Sequence, residues 1–537
     1  MPSSDSTSEL LSRPNPASAW VPRANPWLIA FVVSLAAFME VLDTSIANVA
    51  LPHIAGNLGA SADESTWVLT SYLVSNAIVL PLTGWLVTLV GRKKFFVICI
   101  AVFTASSLLC GIAPTLPFLL IARVIQGTGG GGLQPMAQAI LADTFPPQKR
   151  GLAFSVYGMT AIVAPAIGPT LGGWITDNYT WRWIFLMNLP VGILAMFLVT
   201  VFVEDPPFLT RTTVKESRVD YFGFGLLAIG VAALQIMLDK GQEDDWFGSH
   251  FIVTLSIVAA ICLLTLVVWE LRVKAPILDV RLFGNPNFAN ASVMMLMVGA
   301  ASFSTTVLMP LYLQTLMGYT AESAGMVLSV AALILLVELP IVGRLTGHIQ
   351  ARYLMAFGWG VLTLAMFYSV RRIDLEMSFA AATWLRIAQY VPLGFIFIPA
   401  TMAAYIGVPQ EKSNAVAGMI NFVRNIGASA GTSAVTTVLA RRAQVHQAML
   451  ANYTALDSRQ FQNASTALRG SLGHAIGGQA AAGAYGRLYG EMLTQASTLS
   501  YLDTFWLLGF GTGMMFLLSF LLKKNNPRKP EVEVAAH

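Results

Sequence analysis

The chain has 537 residues, 55% of them hydrophobic and only 11% charged, with a formal net charge of +4. An ordinary soluble protein carries about 25% charged residues, so a soluble enzyme or binding module is excluded and a polytopic membrane protein is expected. No basic patch interleaved with aromatics accompanies the small positive balance, which argues against nucleic-acid binding.

Residues 1–26 form a polar tail rich in Ser and Pro, with no apolar stretch ahead of Trp27, so no cleavable signal peptide is expected. A spanning helix needs about 20 mostly apolar residues. Fourteen such runs follow: 27–51, 66–89, 95–113, 117–141, 151–175, 183–203, 221–238, 251–271, 288–313, 323–346, 353–370, 379–405, 414–440 and 500–522. An all-α membrane protein is predicted, since a barrel would show alternating segments of about ten residues. Arg92-Lys93-Lys94, Lys149-Arg150, Arg272, Lys274 and Lys523-Lys524 fall in loops on one side, while Asp63-Glu64 and Glu243-Asp244-Asp245 fall on the other. By the positive-inside rule, both termini are cytoplasmic and residues 523–537 form a second cytoplasmic tail.

The first run contains LDTSIANVALP, residues 42–52, with Asp43 inside it and Glu40 three positions earlier. Residues at i and i+3 share a helix face. A charge at the bilayer centre costs roughly 2.5–3.5 kcal/mol on insertion scales, so both carboxylates are expected to turn towards a wet cavity as proton or cation sites. The alternative is a structural hydrogen-bond role. Met39 beside them is a candidate cavity residue, because Met adapts to varied ligands, and Asn48 and Gln126 are others.

Between the second and third runs lies GWLVTLVGRKK, residues 84–94, and the fourth run carries LLIARVIQGTGGGG, residues 119–132. A guanidinium stays charged, so Arg123 needs a carboxylate, water or carbonyls beside it. GTGGGG formally matches a dinucleotide fingerprint, but it lacks the preceding strand. Small residues for close helix packing are the better account. The fifth run carries APAIGPTLGG, residues 164–173, in which Pro165 and Pro169 remove backbone hydrogen bonds and bend the helix.

The chain repeats itself. LPLTGWL at 80–86 matches LPIVGRL at 339–345, aligning Gly84 with Gly343, and Arg123…Gln126 matches Arg386…Gln389 at a spacing of 263 residues. Runs 1–6 therefore match runs 9–14. Two bundles related by such a repeat form a transporter pattern with the substrate near the midplane. The expected division is an N-terminal six-helix bundle at 27–204, two inserted helices at 205–287 and a C-terminal bundle at 288–522. The long outer loop at 441–499 holds an amphipathic helix or a small cap. Glu338 and Arg424 are further ionisable groups within apolar spans. The three cysteines and six histidines have no ligand spacing, so neither a metal nor a cofactor is expected. No G-x-x-x-x-G-K-[ST] motif appears, so an ion or substrate gradient must supply the energy.

Together, in order, these motifs resemble the major facilitator superfamily, specifically its fourteen-helix drug:proton antiporters of the EmrB/QacA type. The resemblance spans about residues 27–522, apart from the long loop, and extends to WRWIFLMNLP at 181–190 and LQIMLDKGQEDDWF at 234–247. It implies a major facilitator fold of two six-helix bundles plus two inserted helices. The implied activity is proton-coupled efflux of hydrophobic or amphipathic compounds, often cationic or aromatic, by alternating access. It assigns Arg123 to proton coupling beside Gln126, and gives Gly84, Gly91 and Arg92 to a gating loop. Thr88 stands where that loop's pattern has Asp. Gly168, Pro169, Gly172 and Gly173 match the antiporter motif, whose glycines let the facing bundle approach and slide. The implied location is a bacterial inner membrane, with a periplasmic adaptor and an outer-membrane channel as partners in two-membrane bacteria. An exporter of a dedicated metabolite, lipid or siderophore in the same fold is the alternative. A membrane-embedded receptor or enzyme is disfavoured for want of a polar catalytic cluster.

Overall fold

A computed structural model describes residues 22–207, 209, 220–273, 276–451, 459–476 and 480–522. Most of the N-terminal tail, the C-terminal tail and Lys274 lie outside the described residues. Helix α1 (Pro26–Leu58) opens with the Asn25 side chain accepting from the Trp27 N–H and closes at Gly59, with φ 65. Helix α2 (Ala62–Val90) starts in a capping box between Ser61 and Glu64. Then follow α3 (Arg92–Gly111), α4 (Leu116–Thr144), α5 (Pro147–Asn178), α6 (Trp183–Leu186) and α7 (Asn188–Phe202). The sixth apolar run is thus two helices. Pro190 offers no N–H to the Leu186 carbonyl, and the ladder breaks at Met187. Next come α8 (Tyr221–Lys240) and α9 (His250–Arg272), then α10 (Pro286–Thr315), α11 (Ala321–Leu345), α12 (Ala351–Arg372) and α13 (Phe379–Ala404). The chain closes with α14 (Ser413–Ala451), α15 (Arg459–Ile476) and α16 (Ala480–Leu518).

By length and composition, 12 of the described helices suit a membrane crossing, with α6 and α7 taken as one. Helices α4 and α14 complete the fourteen expected. Both are more polar because they lie inside the molecule: α4 carries Arg123, Gln126, Gln134 and Gln138, and α14 carries Asn414, Asn421 and Arg424. Large apolar side chains such as Phe197, Leu264, Leu364 and Leu517 are exposed on the outside, 63% to 70% of their surface being free. That pattern suits a chain solvated by lipid.

In one bundle α1 packs on α5, and α2 and α3 pack on α4; in the other α10 packs on α14, and α12 on α13 and α16. The bundles meet at two seams, α2 against α14 and α11 against α5. The repeated glycines lie on these seams. A Cβ on Gly84 would sit 2.8 Å from the Ala415 Cα, and one on Gly343 would sit 2.6 Å from the Gly151 carbonyl oxygen. The glycine run of α4 packs inside its own bundle: Gly131 abuts the Asn76 carbonyl of α2, and Gly129 abuts the Phe103 backbone of α3.

Two expectations need correction. Of the antiporter-motif glycines, Gly168 and Gly172 pack α5 onto Ser45 and Ile46 of α1, within the same bundle, and Gly173 meets nothing within 4 Å. The facing bundle is instead approached by Gly151, and by Thr170, which lies 3.0 Å from Ser329 in hydroxyl contact. Pro169 leaves the Pro165 carbonyl without its helical donor, and the Ser45 hydroxyl fills that place at 2.9 Å. Second, residues 441–499 are mostly helix. Helix α14 continues to Ala451, α16 begins at Ala480, and α15 packs against α16 between them. A hydropathy reading ends where apolar residues end, but the helical ladder needs only its own carbonyls. Asp503 ties the extensions together, accepting from Arg442 Nε at 2.5 Å and lying 2.7 Å from His446 Nε2.

The inserted hairpin α8–α9 touches both bundles. Asp239 accepts from Thr70 of α2, and Lys240 reaches Thr66. Gln235 donates to Ser429 of α14 at 2.6 Å, and the Trp246 indole donates to Thr437 at 2.9 Å. The stretch LQIMLDKGQEDDWF is therefore a bridge, while Glu243, Asp244 and Asp245 stay exposed.

Candidate functional site

One turn of α1 separates two buried carboxylate centres. Asp43 is 2% exposed and pairs with Arg123 of α4, whose Nη1 lies 2.7 Å from Asp43 Oδ2. Asp43 Oδ1 accepts from Gln126 Nε2 at 3.1 Å and from Asn188 Nδ2 at 2.6 Å. Ser107 of α3 completes the cluster by accepting from Gln126 at 2.7 Å. The break between α6 and α7 gives Asn188 its place at the first residue of α7. Arg123 also donates to the Val68 carbonyl at 3.0 Å and to Gln126 Oε1 at 2.6 Å, and it lies 4.3 Å from the Tyr72 ring centroid. A buried charge needs partners of this quality, because a lone one costs several kcal/mol to desolvate.

Glu40 faces the other way along the same face. Its Oε1 accepts from the Tyr72 hydroxyl at 2.8 Å and from Asn76 at 3.1 Å, and its Oε2 accepts from Gln134 at 2.6 Å. Gln134 Oε1 in turn accepts from Arg424 of α14. The Tyr157 hydroxyl of α5 lies 3.2 Å from Gln134 Oε1 and 3.0 Å from Asn421 Oδ1. Asn421 donates to Gln138 at 2.5 Å. Tyr72, with Arg123 over its ring and Glu40 on its hydroxyl, joins the two centres. A continuous polar chain thus runs from Asp43 to Arg424, from one bundle into the other. Beside Arg424 is a small cleft between the bundles, with apolar walls from Ile162, Val298, Phe303, Leu393 and Phe397.

The family model of the Major Facilitator Superfamily matches residues 33–432. The chain belongs to this superfamily. It is 39% identical over 423 residues to the multidrug export protein EmrB of Escherichia coli (strain K12), covering 79% of this chain and 82% of that protein. It is 38% identical over 426 residues to the fatty acid resistance protein FarB of Neisseria gonorrhoeae, covering 79% and 83%. Its fold resembles the crystal structure of the human organic anion transporter MFSD10 (TETRAN), with a TM-score of 0.54 at 13% identity, over 91% of this chain and 100% of that one.

In this major facilitator chain Gly91 has φ 90 and ψ 150, a conformation other residues rarely adopt, and its turn delivers Arg92 inward. Arg92 is 1% exposed; it donates to Asp143 Oδ2 at 2.5 Å and through Nε to Asn414 Oδ1 at 3.1 Å. Ser413 donates to Asp143 Oδ1 at 2.8 Å, so four groups from two bundles converge where the α2–α14 seam closes. Thr88 bonds only within its own helix, to the Trp85 carbonyl at 2.7 Å, so the acid of this centre is Asp143.

Not every candidate joins these centres. Met39 is buried in the bundle core and lines no part of the cleft, and Asn48 is exposed. Glu338 stands apart, against Gly394 of α13, with neither carboxylate oxygen bonded. Sequence reasoning missed Asn188, Gln134, Tyr157, Asn421 and Asp143. For Gln134, Tyr157, Asn421 and Asn188 the signal was polarity within apolar runs, and for Asn188 also a place in WRWIFLMNLP; Asp143 falls just past the fourth run and gave none.

Proposed function

We propose that the chain is a drug:proton antiporter that exports hydrophobic or amphipathic compounds by alternating access. The observation that carries this reading is the buried Asp43–Arg123 pair, linked through Tyr72, Glu40 and Gln134 to Arg424 across the bundle interface. A proton arriving on Asp43 cancels the charge that holds Arg123, and Arg123 then relies on Gln126, the Val68 carbonyl and the Tyr72 ring. The change is felt at Tyr72 and so at Glu40, where the bundles are joined. The 39% identity to a multidrug export protein supports the substrate class. One charge crossing 100 mV releases about 2.3 kcal/mol, and a tenfold gradient stores about 1.4 kcal/mol, so one net proton suffices for export. Reconstituted protein under an imposed pH gradient is expected to accumulate fluorescent hydrophobic compounds from a panel of mixed charge. Accumulation of none of them would remove the export reading. The resemblance to a fatty acid resistance protein favours the second reading, a dedicated lipid exporter. Competition across the same panel separates the two, since a dedicated exporter moves one chemical series only.

The working arrangement is an N-terminal bundle at 27–204, an insertion at 205–287 and a C-terminal bundle at 288–522, in a bacterial inner membrane with both termini cytoplasmic. A periplasmic adaptor and an outer-membrane channel are the partners in a two-membrane cell. Gly486 of α16 is exposed with nothing within 4 Å of a Cβ. On a cysteine-free background, Gly486→Cys is expected to react with an impermeant maleimide from outside intact spheroplasts. Reaction only after lysis would invert the topology.

A further inference from the structure

A groove of about 720 Å³ runs between α12 and α13 on the outside of the C-terminal bundle. Its floor is made of small residues, Ala365 and Ala388, and its walls of larger ones that include Leu364, Trp384 and Ile387. Leu364 and Trp384 are 70% and 69% exposed, so the groove opens towards lipid. The two helices run antiparallel, with Gly358 of α12 against Pro392 and Phe395 of α13. That register sets Val391 level with Val361 at the deep end and Trp384 level with Tyr368 near the mouth. At 1.5 Å per residue, the α12 side extends about 15 Å from Arg371 to Val361. A membrane's hydrocarbon is about 30 Å thick, so the groove has the length of one leaflet.

The mouth is cationic. Arg371 lines it, and the Arg372 guanidinium lies over the Tyr368 ring, 5.6 Å from the centroid. Both arginines are exposed, and neither forms an ion pair among the described residues. No acidic side chain among the described residues lines the groove. Asp374, just beyond the arginines in sequence, turns to its own loop and accepts from the Glu376 N–H at 3.0 Å. Tyr368 and Trp384 are of the type that settles at a membrane–water interface, so the two arginines stand at headgroup level. A cation there attracts anionic lipid.

We infer that this groove binds an anionic phospholipid from the leaflet on the Arg371 side. One acyl chain lies between α12 and α13 over Ala365 and Ala388, and the phosphate is held by Arg371 and Arg372. The site asks nothing of the transported compound, so it stands apart from the export reading.

Trp384 reports occupancy, because bromine on an acyl chain quenches an indole that it touches. Full-length protein is reconstituted in dioleoylphosphatidylcholine vesicles with increasing amounts of dibrominated phosphatidylglycerol or dibrominated phosphatidylcholine. The emission of Trp384→Phe is subtracted from that of wild type to isolate the one indole. A single cation near an anionic headgroup gains about fivefold in affinity, which is about 1 kcal/mol. Half-quenching of Trp384 should therefore need about fivefold less, or lower still, of the phosphatidylglycerol than of the phosphatidylcholine. Arg371→Gln combined with Arg372→Gln should lose that preference and keep the quenching by phosphatidylcholine. Both side chains are exposed, so the fold tolerates the change. Equal quenching by the two lipids in wild type, or an unchanged preference in the double variant, overturns the inference and leaves an ordinary lipid-facing surface. Quenching of Trp384 by neither lipid overturns it as well, and means that another body, such as a second copy of the chain, covers the groove.

Discussion

Asp43→Asn is expected to leave a folded protein that no longer concentrates its substrate. Asn retains one oxygen for Arg123 Nη1, and its size is unchanged. Arg123 also keeps the Val68 carbonyl, Gln126 and the Tyr72 ring. Asp43→Ala removes both carboxylate oxygens and leaves a buried cation without its counter-ion beside a cavity, which costs about 3–5 kcal/mol. That variant should express poorly, and the contrast separates a folding role from a coupling role. The amide cannot exchange a proton, so the carrier can only equilibrate drug. With one net charge per cycle at 100 mV, wild type can sustain a gradient of about fiftyfold. The variant should sustain none, although drug exchange across equal concentrations continues. Efflux assays at matched expression give the first quantity, and counterflow in proteoliposomes the second.

Gly84→Leu is expected to hold the transporter open at the end where Arg92 meets Asn414. The Gly84 face of α2 lies against the α14 backbone, and across the seam Gly418 of α14 lies against the Leu80 carbonyl. Neither obstacle is a flexible side chain that can turn aside. Overpacking of this kind costs about 1–3 kcal/mol, which becomes a shift of roughly five- to 150-fold away from the closed seam. The fold itself survives, because the contact is made between bundles and not within one. Transport should fall about tenfold or more, and a cysteine at Ala415 should gain access to thiol reagents from the cytoplasm. Gly84→Ala should give a smaller effect in the same direction. Unchanged labelling in Gly84→Leu would mean that the α2–α14 seam is not the gate.

The charges of this protein were the most legible part of its sequence. Asp43, Glu40 and Arg123 stand out because charge is expensive in an apolar run, and the repeat spacing aligned Arg123 with Arg386 before any helix was placed. Uncharged polar groups gave no such signal. Ser107, Gln134, Tyr157 and Asn421 are ordinary residues for membrane helices, and their partners depend on how α3, α4, α5 and α14 cross. The antiporter-motif glycines show the same limit. Small residues mark a face for close approach, but the sequence does not say which helix fills it, and α1 fills it here. Glu338 was legible as a charge, yet its place between α11 and α13, away from both centres, is a matter of packing.

The most direct test of proton coupling at Asp43 is the proton released when a transported compound binds. Purified protein in weakly buffered detergent, with a pH indicator present, is brought stepwise to acidic pH to load the carboxylate and is mixed at each step with saturating substrate. The account predicts release of protons by wild type and none by Asp43→Asn, with binding of the compound retained. Equal release by both proteins would contradict it and move the coupling site to Glu40 or Glu338.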